Sequence, residues 1–191
     1  MYSKAYDKTL AAVALSLGME RDWLFNVISL ESGWSPSAYN SSGAVGLIQL
    51  MPQTLRGLGL LSTQLTALVP TSGAVPENVK QLVRHEYLSK YPDAESQLLG
   101  PVYAHFKGYR PYPTAQSVYM AVFYPRYRNV SPMTTFPDSV RAQNPGITTV
   151  ADYVAKVENQ GGVFAALTKK SGIGTIALAA VGLTAYLMTR S

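Results

Sequence analysis

Glu31-Ser32-Gly33-Trp34-Ser35-Pro36, followed by Ser41-Ser42-Gly43-Ala44-Val45-Gly46-Leu47-Ile48-Gln49-Leu50-Met51-Pro52, is the stretch on which the fold turns. Upstream, Asp22 is the expected N-cap of a helix reaching about Ser32, with Trp23, Leu24, Val27, Ile28 and Leu30 apolar. Glu31 lies one turn beyond Val27 and three residues beyond Ile28, so it falls on the apolar stripe of that helix. A carboxyl in apolar surroundings holds its proton more tightly, and an acid still protonated near neutrality can donate to a leaving-group oxygen. The alternative is a glutamate at a helix end that swings into solvent, and helical position does not choose between the two. Gly43 and Gly46 allow the loop backbone to approach a ligand closely. No Asp or Glu occurs between Glu31 and Glu77, so the segment holds one acid; more distant acids such as Glu86 or Asp93 could still fold close.

The same residues resemble the soluble lytic transglycosylase family. Its pattern is Glu-Ser, a loop ending Gly-Ala-x-Gly-Leu-hydrophobic-Gln-hydrophobic-Met-Pro, then x-Thr. Here Glu31 and Ser32, Gly43 and Ala44, Gly46, Leu47, Gln49, Met51, Pro52 and Thr54 match it, with no insertion between the blocks. The resemblance covers residues 5–60. A weaker one covers 98–128, where Tyr119-Met120-Ala121-Val122-Phe123-Tyr124-Pro125 resembles the third family motif, Ala-Tyr-Asn, in the form found in phage-encoded members. Tyr124 is then the motif tyrosine, and Pro125 stands where the family usually has Asn. The family often has Ser nine residues after the glutamate; here that place is Asn40, with Ser41 beside it.

The resemblance implies an all-α, lysozyme-like helical domain that cleaves the β-1,4 bond between N-acetylmuramic acid and N-acetylglucosamine in peptidoglycan. Family members use one glutamate, here Glu31. It protonates the glycosidic oxygen, then as carboxylate takes the proton of the muramoyl C6 hydroxyl. That hydroxyl attacks C1 and leaves a 1,6-anhydro end, outside the usual two-carboxylate scheme. Gln49, a neutral amide, would bridge sugar hydroxyls or an N-acetyl group, or else satisfy loop backbone. Tyr124 would hydrogen-bond Glu31 or the sugar, or else be a core aromatic. Met51 packs on a sugar face or fills the core. Asn40, Ser41 and Gly46 complete the candidate glycan-binding set, and Ser32 secures the helix end or the loop.

Composition is consistent with these expectations. The 191 residues suit one domain plus an appendage. The chain has no Cys, which excludes a disulfide framework, a Cys-ligated zinc site and a cysteine nucleophile. Two His, His85 and His105, leave little for a metal site, and no cofactor or metal is expected. Net charge is +5, which favours an anionic polymer or surface. Basic residues cluster with aromatics at 105–110 and 124–128 without the register of a nucleic-acid motif, so nucleic acid is not the expected partner.

Period-two alternation is scarce and helical spacing recurs. Thr9 to Met19 reads as an amphipathic helix and not a secretory signal. Pro76 opens a helix with Val79, Leu82, Val83 and Tyr87 on one face. Thr114 caps a helix to Phe123, stopped by Pro125, and Thr148 or Thr149 starts another with Val150, Tyr153, Val154 and Val157 in step. The expected organisation is a lysozyme-like domain at 1–128, a Pro-rich linker and amphipathic arm at 129–170, and an apolar helix at 171–189. Ser171 to Thr189 is free of charge and would span roughly 28 Å as a helix, close to a bilayer core. It is a candidate membrane segment or an assembly helix, its small residues at Gly174, Ala177, Ala180 and Thr184 allowing close approach and self-association.

Peptidoglycan lies outside the cytoplasmic membrane, and the sequence shows no export signal ahead of the wall-cutting motif. The expectation is a virion-associated transglycosylase, carried in a viral membrane or ejection apparatus beside other virion proteins. It would act in the host envelope, penetrating the cell wall while a phage genome enters. Two other readings stand beside it: a structural ejection component with a glycan-binding, non-catalytic domain, and a hydrolytic goose-type lysozyme.

Overall fold

Helix α2, Arg21–Ser32, is the central element. Leu24, Phe25, Val27, Ile28 and Leu30 are buried along it, so most of its circumference faces protein. Gly33 ends the helix in the left-handed region at φ 57° and returns its N–H to Ser29 O at 3.1 Å. Trp34 stays in that region at φ 64°, a costly conformation for a bulky residue. Its burial offsets the strain: the indole N–H donates to Ser29 Oγ at 3.0 Å, and the ring packs on Phe25 and Tyr2. The turn after Glu31 is therefore pinned by a buried tryptophan. The helix begins one residue before the expected cap. Glu20 takes the cap position without a side-chain bond, and Asp22 sits in the first turn, where its charge suits the helix dipole.

The computed structural model describes residues 2–170, with side chains through Gly162. A short 3-10 turn at Lys4–Tyr6 leads into α1, Asp7–Leu17, which lays Leu10, Val13, Ala14 and Leu17 against α2. Then follow α3, Pro52–Gly57; α4, Thr63–Leu68; α5, Glu77–Lys90; and α6, Ala94–Gln97. A π-turn at Leu98–Val102 leads into α7, Tyr103–Lys107, and α8 is Ala115–Phe123. After a 3-10 turn at Pro125–Tyr127 come α9, Asp138–Gln143, and α10, Val150–Lys170. The described residues form no strand, only isolated bridges, in keeping with an all-α fold.

The helix starts follow their caps. Thr114 and Ser117 form a capping box on α8, and the Asp152 carboxylate accepts the N–H groups of Thr148 and Thr149. On α5, Val79, Val83 and Tyr87 are buried as expected, but Leu82 is 49% exposed. At 100° per residue it lies about 100° from the centre of the other three, too far round to reach the core.

The Pro-rich stretch beyond residue 128 was expected as a linker; it packs on the domain. Phe136 and Ile147 are buried in the same cluster as α2, and α10 buries Val150, Tyr153 and Val157 against α2 and α8. Backbone bonds Phe136 N to Thr148 O and Val150 N to Thr134 O join its two ends. Gln116 of α8 holds Val130 O at 2.8 Å. At Gly161, an added Cβ would collide with Asn26 of α2, so glycine sets the approach of the two helices. The apolar stretch 171–189 lies outside the described residues. Among the described residues no helix is long and apolar enough to cross a membrane.

Candidate active site

Glu31 sits in the last turn of α2 and is 4% exposed. Of the eleven acidic side chains in the chain it alone is buried. A buried carboxyl needs a hydrogen-bond partner, and Tyr153 supplies one: its hydroxyl donates to Glu31 Oε1 at 2.9 Å. Tyr153 reaches this place from α10, 122 positions away in sequence. Phe123 at the end of α8 stacks on its ring at 4.1 Å between centroids and 12° between planes. Phe123 in turn meets Phe136 edge-on, and Phe136 stacks on Tyr127.

The acids that could have joined Glu31 are committed elsewhere. Glu86 accepts from Ser62 N and Oγ, both at 2.6 Å, and from Lys90. Those bonds hold its carboxyl below the usual range against the opposing push of burial. Asp93 caps α6 through Ser96 and is lowered by those bonds.

The loop from Tyr39 to Leu50 folds on itself. Val45 and Leu50 exchange both backbone hydrogen bonds, and Gly46 N donates to Ala38 O. Gly46, at φ 81°, lies so close to Tyr87 Oη and Gln97 Oε1 that any side chain there would collide. Gln97 is wholly buried and clamps the loop: its Oε1 accepts Leu47 N, and its Nε2 donates to Pro36 O and Tyr91 O. Gln49 adopts φ 49° and is also buried. Its Nε2 donates to Gly46 O at 3.0 Å, and its Oε1 accepts from Asn40 Nδ2 at 3.3 Å. Asn40 Oδ1 accepts Ala44 N.

The sequence-predicted residues thus fall into three groups. Asn40, Gly46 and Gln49 are brought together, bonded to one another and to the loop backbone. Ser41 is exposed at the loop tip, its carbonyl accepting from Lys80 Nζ at 2.7 Å, and Met51 occupies the N-cap of α3. Tyr124 is not bonded to Glu31. Its ring lies edge-on to Tyr127 and Phe136, at the start of the turn Pro125–Tyr127. The tyrosine on Glu31 is Tyr153, which appeared in the sequence only as an apolar position in step with its helix. Ser32 does secure the helix end, donating to Ile28 O at 3.2 Å. Among the described residues no group of three or more His, Asp or Glu is placed to hold a metal.

The arrangement is one buried acid at a helix end, oriented by a tyrosine hydroxyl and followed by a loop braced with buried amides. Residues 10–70 match the family model of the Transglycosylase SLT domain. The matched span takes in most of α1, all of α2 with Glu31, and the loop from Tyr39 to Leu50, about a third of the chain. Over that span the chain is similar to transglycosylase and lysozyme-like domains. No curated protein and no solved structure matches the chain.

Proposed function

We propose that the protein is a peptidoglycan lytic transglycosylase with Glu31 as its one catalytic acid and base. The observation that carries this reading is the buried Glu31 carboxyl held by the Tyr153 hydroxyl, inside the span that matches the transglycosylase domain. Glu31 protonates the glycosidic oxygen between N-acetylmuramic acid and N-acetylglucosamine. As carboxylate it then takes the proton of the C6 hydroxyl, which attacks C1 and closes the 1,6-anhydro ring. One group serves both proton transfers, so no second carboxylate is needed. The commitment of Glu86 and Asp93 to other partners agrees with that economy. Tyr153 fixes the carboxyl rotamer in both steps. Gln49 keeps one N–H and one lone pair beyond its loop bonds, suited to a sugar hydroxyl or N-acetyl group. Asn40, Ser41, Gly46, Met51 and Tyr124 complete the proposed glycan-binding set.

Zymography with wild type and Glu31→Gln tests the chemistry. The substitution should abolish clearing while the fold persists; equal clearing by both would reassign the domain as a glycan binder. Mass analysis of released muropeptides should show anhydro ends, whereas reducing ends would mean a hydrolytic lysozyme. The biological setting we propose is a virion, where the enzyme opens the wall locally during genome delivery. The uncharged stretch 171–189 and the Tyr124-Pro125 form of the third motif support it. Mass spectrometry of purified particles should find the protein, and its absence from them would end that part of the proposal.

A further inference from the structure

The loop that carries Asn40 and Ser41 is tied along one side to α5. Lys80 Nζ donates to Ser41 O, and the Lys80 stem fills the space over Gly43, where an added Cβ would crowd it at 2.9 Å. Gln81 Nε2 donates to Tyr39 Oη at 3.3 Å. One turn on, the guanidinium of Arg84 lies over the Tyr39 ring, 4.7 Å from its centroid. This face of α5 borders an open concavity of about 410 Å³, lined by Gln81, Arg84, His85, Leu88 and Ser89. Both acids of α5 are taken up elsewhere, Glu77 by Lys80 and Gln81 and Glu86 by Ser62 and Lys90. Among the described residues no carboxylate pairs with Arg84.

An arginine whose flat face rests on an aromatic ring keeps its edge N–H groups for a planar, bidentate anion, and a carboxylate has that geometry. Gln81, His85 and Ser89 add polar side chains, and Leu88 adds an apolar patch for small alkyl groups. Tyr39 is the immediate neighbour of Asn40, so a ligand here sits beside the candidate glycan loop.

We propose that the Arg84 face of α5, beside Tyr39, is a subsite for a peptide carboxylate, taking the stem peptides of peptidoglycan while the glycan strand lies along the 40–46 loop. It rests on the peptidoglycan reading above and adds that the protein distinguishes peptide-bearing from bare glycan. Arg84 holds the carboxylate through its edge N–H groups, and the Leu88 patch takes the methyl groups of the stem alanines.

The test is co-sedimentation and turnover of the full chain on intact sacculi and on glycan strands stripped of peptide by an amidase. Wild type, Arg84→Ala and Arg84→Lys are compared. Arg84→Ala should weaken binding to peptide-bearing sacculi about tenfold and leave binding to stripped strands unchanged. Arg84→Lys, which keeps the charge but loses the fork, should fall between. Equal losses on both substrates, no loss on either, or no binding by wild type would overturn the subsite. The two readings separate cleanly. A wild type that binds sacculi through Arg84 but cuts neither substrate would keep the subsite and remove the enzyme. One that cuts both with no dependence on Arg84 would do the reverse.

Discussion

Glu31 and Tyr153 share a hydrogen bond but are held in place by different physics. The acid belongs to a segment built from backbone geometry. Left-handed turns at Gly33, Trp34, Gly46 and Gln49 bend the chain, and buried amides of Asn40, Gln49 and Gln97 satisfy it. The tyrosine belongs to a segment built from ring packing, with Phe123 stacked on it and Phe136, Tyr127 and Tyr124 behind. Turn chemistry leaves marks at fixed positions along a chain, because few residues tolerate positive φ or serve as buried amides. Ring packing leaves almost none, because many apolar residues fill a given space once the partners have met. A site assembled from both kinds of segment therefore has one half that is local and one that is tertiary.

The largest expected effect falls on the local half. Glu31→Gln is nearly isosteric and keeps an acceptor for Tyr153, yet it cannot pass a proton. Turnover of sacculi should fall by at least ~10²-fold with little change in melting temperature. Next comes the loop. Gly46→Ala adds a Cβ against Tyr87 Oη and Gln97 Oε1 at a positive φ, two costs that together reach about 3 kcal/mol. The melting midpoint should drop by about 10 °C, and a drop of under about 2 °C would mean the loop is not clamped as described.

The tertiary half is probed by a pair. Tyr153→Phe keeps the stack on Phe123 and removes only the hydroxyl. It should lower turnover about tenfold and cost about 1 kcal/mol of stability. Phe123→Ala removes the support of a half-buried ring and should do more harm to stability, about 2 kcal/mol, measured by urea denaturation. If Tyr153→Phe were as active as wild type, the hydrogen bond to Glu31 would be structural alone.

These differences explain what could be read in advance. The end of α2, the Thr114 cap, the stop before Pro125 and the start of α10 follow from caps and periodicity, which act within a few residues. Glu31 and the Asn40–Gln49 loop were legible because their spacing is local and chemically constrained. The partner of Glu31 was not. Tyr124 and Tyr153 are both tyrosines near helix ends, and only the fold of residues 124–149 decides which one reaches the acid. That fold hangs on Phe136 and Ile147, single apolar residues among Pro, Ser and Thr with no period to announce them. Arg84 was invisible for a similar reason, since its role depends on Tyr39, a residue 45 positions earlier that lies under its guanidinium.

The smallest expected effect is a pH dependence confined to the tertiary half. His105 on α7 is buried, and its Nε2–H donates to Ala121 O of α8 at 3.0 Å, bracing the helix that ends in Phe123. Burial pushes its pKa below the usual value, with the Ala121 carbonyl opposing the shift in part. A histidine that resists protonation only when folded leaves the unfolded chain binding more protons in acid. Its contribution is therefore complete above the unfolded value of about 6.5 and is lost as pH falls from there towards the lower folded value. The slope in that window is at most about 1.4 kcal/mol per pH unit. The carboxylates lowered by their own partners, Glu86 and Asp93 among them, begin to lose their contribution only as pH falls into the ordinary carboxylate range, about 4. His105→Gln keeps an N–H for Ala121 O but cannot take a proton, so its stability should be flatter than wild type as pH falls below about 6.5. Urea midpoints across that range measure the difference. Superimposed curves would place His105 outside the bracing of α8 and leave ring stacking alone to hold Tyr153 on the acid.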